Sequence, residues 1–257
     1  MENGISNLSI IPVRKETSDA SEMVTQILFG EHFEILDKQK NWLYIRSAFD
    51  DYEGWIDFKQ SVPISSDDVK ELNKNPFHVS RDVVQVAVIN DTIPIAVLVG
   101  STLPFYSDKK FRIADTVYSF DGDAKAFQLP DSKLIIENSY LYLNSPYLWG
   151  GRSPFGIDCS GFTQMVFKLS GIKLKRDANQ QAEQGQTINI IEEADPGDLL
   201  FFDNEEGKIT HVGIMIGKDK IIHAHGFVRV DSIDHHGIFN KDQNKYTHSL
   251  RLIKRII

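Results

Sequence analysis

Short apolar runs separated by turn residues set the pattern of the N-terminal half of the chain. Ile10-Ile11-Pro12-Val13, Met23 to Phe29, Phe33 to Leu36, Trp42 to Ile45 and Gly54-Trp55-Ile56 are rich in β-branched and aromatic residues and predict five short strands. Strands this close together, joined at Gly30, Asp37 and the Asp50-Asp51 turn, predict a small barrel with Trp55 in its core. Ser65 to Asn75 is polar and acid-rich, either a linker or a short connecting helix. A second strand-rich block follows, with Val83 to Ile89, Pro94 to Val99, Leu103 to Tyr106 and Thr116 to Phe120 bounded by Asn90-Asp91, Gly100 and Asp121-Gly122. It predicts another small barrel, with no strong self-similarity to the first.

The pattern changes at Asp131. Asp131 and Ser132 can cap a helix running to about Leu143, and the i, i+4, i+7 spacing of Ile136, Tyr140 and Leu143 puts those three on its buried face. After a Gly- and Pro-rich loop, a second helix is expected from about Asp158. Phe162, Met165, Val166 and Leu169 would form its buried stripe, and Ser170-Gly171 would stop it. Asp177 can cap a third, short helix ending near Gly185. Strands are expected over Asp198 to Phe202, His211 to Ile216, Lys220 to Ala224, Val228 to Val230 and Ser249 to Ile256. Helices followed by antiparallel strands make an α+β domain. The division that follows is 1–64 for the first barrel, 65–129 for a linker and second barrel, and 130–257 for the α+β domain.

Composition narrows the function classes. The chain has 257 residues, 41% hydrophobic and 25% charged, which is ordinary for a globular protein of two or three domains. A net charge of −8 argues against nucleic acid as a partner, because the longest basic cluster, Lys173 to Arg176, is short and interrupted. The single cysteine rules out an internal disulfide and any zinc site built on two or more thiolates. The first twenty residues lack the run of roughly seven to fifteen apolar residues that a secretory signal needs. No stretch approaches the roughly twenty apolar residues of a membrane helix. A cytoplasmic protein without a membrane partner is the expectation.

That one cysteine is Cys159, in Asp158-Cys159-Ser160-Gly161 at the head of the expected second helix. A helix N-terminus carries partial positive charge and unpaired N–H groups, which favour a thiolate and can hold an oxyanion. The plain alternative, a buried small hydrophobe, fits less well with a position at a helix start after a glycine-rich loop. A cysteine nucleophile needs a base and a group to orient it. His211 opens one strand, and His223 lies on the next, across the Gly217 to Lys220 turn. Side by side, His223 could fix the tautomer of His211. His225 shares the strand parity of His223 and competes for that role. The two also resemble a metal pair, but no thiolate or carboxylate partner stands at recognisable spacing, so no metal is expected. Solvent exposure is expected for the remaining histidines, including His235 and His236.

These pieces occur in a telling order: Tyr147-Leu148-Trp149-Gly150-Gly151, Asp158-Cys159-Ser160-Gly161, Arg176-Asp177, Pro196-Gly197-Asp198-Leu199, His211-Val212-Gly213-Ile214 and Ile222-His223-Ala224. From Asp131 to Ile257 the chain resembles the NlpC/p60 cysteine peptidases, which have a papain-like fold. The resemblance implies Cys159 as nucleophile, His211 as general base and acid, and His223 as the orienting residue, with no cofactor. It also implies that Asp158 and Ser160 help bind a D-Glu portion and that Tyr147 and Trp149 line the cleft. Helix capping and aromatic packing under a loop are the plain alternatives for these residues. Where the family often has Asp-Ser, this chain has Asp177-Ala178, so a hydroxyl that helps hold substrate is missing at Ala178.

The N-terminal half resembles the bacterial SH3-like domains fused to the branch of that family that cleaves γ-D-glutamyl-diamino acid bonds in released murein peptides. In that branch a glutamate and a tyrosine recognise the free amine of the terminal L-Ala, and the matching positions are Glu31 and Tyr52. A carboxylate paired with an ammonium would be left unsatisfied by an acylated amine. The implied reaction is hydrolysis between γ-D-Glu and L-Lys or meso-diaminopimelate, releasing L-Ala-γ-D-Glu. The rival expectations are a lysin trimming intact peptidoglycan and a non-catalytic wall-peptide binding module. Oligomeric state and the role of the second barrel are left open.

Overall fold

The computed structural model describes residues 2–74, 78–90, 92–126 and 131–257. The expected turn residue Asp91, the end of the polar segment at Asn75 and the boundary near 129 lie outside the described residues. By contacts the chain divides into two compact units, Met1–Gln128 with Gly150–Pro154, and Leu129–Trp149 with Phe155–Ile257.

In the first unit, strands β1 (Glu2–Ile5), β2 (Ile10–Arg14), β3 (Met23–Leu28), β4 (His32–Gln39), β5 (Trp42–Ser47), β6 (Glu53–Asp57) and β7 (Val62–Ile64) form one sheet in the order β3-β2-β6-β5-β4-β1-β7. Alternate residues of the strands point inward, and Ile11, Val13, Ile27, Phe33, Leu43, Ile45 and Ile56 make the core. Trp55 has the opposite parity to Ile56, so it is half-buried against Tyr44, at 4.9 Å between rings, and lies outside that core. The polar segment is a helix, α1 (Ser66–Lys74).

Strands β8 (His78–Ser80), β9 (Val84–Ile89), β10 (Ile93–Leu98), β11 (Thr102–Leu103), β12 (Lys110–Ile113), β13 (Thr116–Phe120) and β14 (Ala124–Ala126) build two further sheets, β10-β9-β13-β12 and β11-β8-β14. The strand expected to reach Tyr106 stops at Leu103, because Phe105 turns the backbone with a φ of 55°. An aromatic cluster of Phe29, Phe111, Tyr118 and Phe120 joins Ile5 and Leu72 in a shared core, with Phe111 stacked on Tyr118 at 4.8 Å. Because Ile5 ends β1 and Phe29 directly follows β3, the two sheet systems share one apolar interior. A short strand, β15 (Arg152–Ser153), also belongs to this unit.

In the second unit, α2 (Ser132–Tyr140) is capped by Asp131, whose side chain accepts from the Lys133 N–H at 3.0 Å. Its buried face is not the expected one. Ile135, Asn138, Ser139 and, just beyond, Tyr142 are buried, while Tyr140 and Leu143 are exposed. The helix is rotated by one residue because Asn138 donates to Ser170 Oγ at 3.0 Å, so a polar contact outweighs the apolar stripe. Strand β16 (Gly156–Ile157) leads to α3 (Cys159–Leu169), in which every residue is buried. The expected stripe of Phe162, Met165, Val166 and Leu169 is inside, but so are the other faces. Each fully buried large apolar side chain contributes about 1.5–3 kcal/mol. Ser170 is the C-cap and Gly171 takes the left-handed conformation that ends the helix. The third helix, α4 (Ala178–Gln181), is shorter than expected.

The remaining strands are β17 (Gln186–Ile188), β18 (Leu199–Asp203), β19 (Ile209–Gly217), β20 (Lys220–His225), β21 (Phe227–Asp234), β22 (Gly237–Asn240) and β23 (Lys245–Arg255). They pair in the order β17-β23-β18-β19-β20-β21-β22, and β22 also pairs with β23, so β18 to β23 run round a closed ring. Closure needs Gly237: its φ is 136°, and a Cβ there would overlap the His248 carbonyl. Leu200, Phe202, Met215, Ile221, Ile233, Ile238 and Ile253 fill the ring. Leu199, Phe201, Val212, Ile214 and Ile222, of opposite parity, are also buried, on the side where α3 packs against β19 and β20. Burial on both faces explains why these strands read as continuous apolar runs.

Candidate active site

Asp158 precedes α3 in extended conformation, and its Oδ1 accepts from the Gly161 N–H at 2.6 Å. This cap starts the helix at Cys159. Because α3 packs on β19, the Cys159 sulfur comes to rest against that strand, 4.0 Å from the Thr210 carbonyl and within reach of the Val212 N–H. These two backbone groups flank His211.

His211 and His223 share strand parity with Met215 and Ile221, so their rings sit at one end of the apolar ring interior. His211 Nε2 lies 2.8 Å from His223 Nδ1, and His223 Nε2 lies 3.1 Å from Asp231 Oδ2. Gly213 faces His223 directly, and a Cβ there would come within 2.9 Å of the His223 Cβ. The bare glycine gives the imidazole its room. His225, the other candidate for orienting His211, is exposed, with its ring 6.4 Å from that of His211. His248, on β23, is half-buried and stacks on His211 at 4.2 Å, so the solvent exposure expected of it is not found.

Burial dominates the electrostatics. It pushes the Cys159 thiol up to about 12; the Asp158 charge adds to this, and the Val212 and Ser160 N–H groups and Arg176 only partly offset it. The helix N-terminal N–H groups favour the thiolate, as expected, but burial outweighs them. Desolvation also holds His211 well below its ordinary value, with His223, His248 and His225 adding to the effect. His223 is lowered by burial in spite of its hydrogen bond to Asp231, and His248 falls to about 4. Burial thus favours the neutral thiol of Cys159 and the neutral rings of His211, His223 and His248.

The other predicted residues of this unit fall into three settings. Asp158 and Ser160 are tied to Arg176, whose Nη1 donates to Asp158 Oδ1 and to Ser160 Oγ, each at 3.0 Å, and whose Nη2 donates to Asp158 Oδ2 at 2.6 Å. Tyr147 donates its N–H to the Gly226 carbonyl at 2.9 Å. Burial and the neighbouring Cys159 and Asp158 raise its phenol to about 12. Trp149 is 61% exposed, so packing under a loop does not account for it. Asp177 heads α4 and its N–H donates to Gln180 Oε1 at 3.1 Å, with Ala178 buried as the first helical residue.

Glu31 and Tyr52 belong to the first unit. Glu31 is buried, with 4% of its surface exposed. Both carboxylate oxygens meet Arg152, at 2.7 and 2.9 Å, and Oε2 also accepts from the Leu28 N–H at 2.8 Å. Tyr52 is half-buried at the turn into β6, its carbonyl accepting from the Ser47 N–H at 2.9 Å.

Three residues at these sites escaped the sequence reading: Arg152, Asp231 and His248. Asp231 and His248 each stand one residue beyond an expected strand end, at Val230 and Ser249. Extending the alternation by one position would have placed Asp231 on the His223 face. Nothing local in the sequence points to Arg152 as the partner of Glu31, 121 residues away.

A family model described as the NlpC/P60 family matches residues 144–248, and one described as a bacterial dipeptidyl-peptidase SH3 domain matches residues 13–60. A gamma-D-glutamyl-L-lysine dipeptidyl-peptidase of Bacillus subtilis (strain 168) is 30% identical over 212 residues, covering 78% of this chain and 71% of that protein. Dipeptidyl-peptidase 6 of Lysinibacillus sphaericus is 28% identical over 258 residues, covering 86% of this chain and 89% of that protein. The crystal structure of an NlpC/P60 family protein from Bacillus cereus ATCC 10987 covers 99% of both chains, with a TM-score of 0.83 at 20% identity. Fold and matches together define a peptidoglycan peptidase that carries a bacterial SH3-like domain. The chain belongs to the NlpC/P60 family. Among the described residues, no helix is long and apolar enough to cross a membrane.

Proposed function

We propose that the chain is a cysteine peptidase that hydrolyses the bond between γ-D-Glu and L-Lys or meso-diaminopimelate in murein peptides with a free N-terminal L-Ala, releasing L-Ala-γ-D-Glu. The observation that carries the chemistry is the 2.8 Å contact of His211 Nε2 with His223 Nδ1, on the strand against which the Cys159 sulfur rests. The substrate class is supported by the similarity to the two dipeptidyl-peptidases.

With thiol and imidazole both neutral at rest, attack is base-assisted. The sulfur bonds to the γ-carbonyl carbon of D-Glu as its proton passes to His211 Nδ1. The oxyanion is held by N–H groups at the head of α3. His211 returns the proton to the departing amine as the C–N bond breaks, leaving a thioester on Cys159. Water then attacks the thioester carbonyl and gives a proton to His211, which passes it to the leaving sulfur. Neutralising the proton within the pair avoids forming an isolated thiolate in a site this desolvated.

Substrate recognition is assigned to Tyr147, Trp149, Asp158, Ser160, Asp177 and the backbone at Ala178, with Glu31 and Tyr52 reading the ammonium. A carboxylate offers about four acceptor positions, so Glu31 can serve an ammonium while paired with Arg152. The described sheets between β8 and β14 are read as a second SH3-like barrel, giving domains at 1–64, 65–129 and 130–257. Mass spectrometry on L-Ala-γ-D-Glu-L-Lys, free and N-acetylated, tests the reading. The free peptide is cleaved to L-Ala-γ-D-Glu and the acetylated one resists. Equal cleavage of both would remove Glu31 and Tyr52 from the site, and turnover by Cys159→Ala would remove the mechanism.

A further inference from the structure

The mechanism above needs His211 to present a lone pair, not a proton, to the sulfur, and nothing in the Cys159, His211 and His223 set decides this. Each neutral imidazole has one N–H and one lone pair, and the hydrogen bond between two rings can run either way. If His223 Nδ1 donated to His211 Nε2, then His211 would carry its proton on Nδ1 and could not accept another. If His211 Nε2 donates to His223 Nδ1, then His211 Nδ1 is the acceptor. A third group must set the direction.

Asp231 is placed to set it. It stands on β21, opposite Ile221 and on the His223 face of the ring, with only 5% of its surface exposed. Its Oδ2 is 3.1 Å from His223 Nε2. An ionised carboxylate only accepts, and burial alone would raise this carboxyl, but hydrogen bonds from His223 and Arg229 hold it below the usual range. Arg229 fixes it from behind: Nη2 donates to Oδ1 at 3.0 Å and Nε is 2.8 Å from Oδ2. Arg229 is itself held by Asp242 at 2.7 Å. The groups facing the two histidines are thus Asp231, Arg229, His225 and His248.

We propose that Asp231 is a positioning residue: it accepts from His223 Nε2–H, which makes His223 Nδ1 an acceptor for His211 Nε2–H and leaves His211 Nδ1 as the lone pair that takes the Cys159 proton. The opposite arrangement would set an imidazole lone pair against a carboxylate oxygen at 3.1 Å, two acceptors with no proton between them. The inference rests on the proposed roles of Cys159 and His211 and adds the group that sets their proton order.

Asp231→Asn in the full chain is the sharpest perturbation. The Arg229 Nη2 hydrogen bond to the Oδ1 position holds the amide oxygen there, which puts the NH2 at the Oδ2 position, facing His223 Nε2, and reverses the order of protons along the chain. Two measurements test this. Long-range 15N–1H NMR of the imidazoles in the unmodified protein should show His211 and His223 both protonated on Nε2. Steady-state kinetics of Asp231→Asn on the tripeptide should show kcat lower by about 10²- to 10⁴-fold, the range that a correctly protonated general base contributes. KM should stay within about twofold, because substrate contacts are untouched, and Asp231→Glu should recover part of the loss. An Nδ1-protonated His211 in the unmodified protein would overturn the proposal even if the variant failed to fold. So would an unchanged kcat in folded Asp231→Asn. Full turnover by Cys159→Ala would instead overturn the nucleophile, which separates the two failures.

Discussion

Two of the polar clusters buried among the described residues are built on opposite principles. In the first unit, Glu31 and Arg152 form a two-point ion pair with side chains 3% and 1% exposed. Both charges are present and each answers the other. In the second unit, burial holds His211 and His223 toward their neutral forms, and the carboxylate, Asp231, lies one hydrogen bond further back. A closed pair has no direction and serves to lock a turn to a distant segment. A chain of imidazoles ending in a carboxylate has a direction, and its far end is left able to take a proton. Burial thus fixes an ion pair at Glu31, the residue to which the proposed reading also gives the substrate ammonium, and prepares proton transfer at His211.

Breaking the closed pair should have the largest effect on stability. Glu31→Gln leaves the Arg152 guanidinium buried beside a neutral amide, and such losses cost about 3–5 kcal/mol. Urea unfolding should show it, and the joint change Glu31→Leu with Arg152→Met should recover much of it, since both charges then leave together. A loss below about 1 kcal/mol in Glu31→Gln would place this pair with exposed bridges and erase the contrast.

The neutral cluster should make its mark through acid. His211, His223 and His248 are all lowered in the folded protein. Below about pH 6.5 the unfolded chain takes up protons that these folded rings refuse, so stability is complete above that pH and is lost as pH falls toward the folded values. Each ring contributes at most about 1.4 kcal/mol per pH unit within its window. For His248 that window runs down to about 4. Asp231, lowered as well, acts in the same direction at more acidic pH. Urea midpoints measured from pH 7.5 to 4.5 should fall steadily; a flat profile would mean that the rings are charged or exposed.

A smaller, local effect should follow from Gly213→Ala. The added methyl would meet His223 Cβ at 2.9 Å and Ile221 Cδ1 at 2.7 Å, both on the neighbouring strand. Overpacking of this kind costs about 1–3 kcal/mol. Because His223 is the group displaced, kcat should drop by more than KM rises. Loss of stability with unchanged kcat would show that the imidazole chain tolerates a shift of the strand.

How much of this was readable from the chain depended on whether a pattern or a boundary carried the information. The strands β2 to β6 and the start of α3 follow from alternation, capping and turn residues, and Cys159, His211 and His223 fall where those elements put them. The buried face of α2 was misread because Asn138 and Ser139 take core positions through hydrogen bonds, which no apolar periodicity records. Asp231 and His248 were missed by a single residue at strand ends, where sheet closure at Gly237 extends pairing beyond the apolar run. The balance of effects on Cys159 was not legible for another reason. A helix dipole is a local property, whereas the burial that outweighs it comes from β19 packing over the sulfur.

The most direct test of the central claim is to trap the covalent intermediate. The full chain is mixed with L-Ala-γ-D-Glu-L-Lys, quenched in acid within one turnover, digested and analysed by mass spectrometry. The account predicts an L-Ala-γ-D-Glu acyl group on Cys159 and no adduct or product in Cys159→Ala. Product released by Cys159→Ala at the rate of the unmodified protein would contradict it.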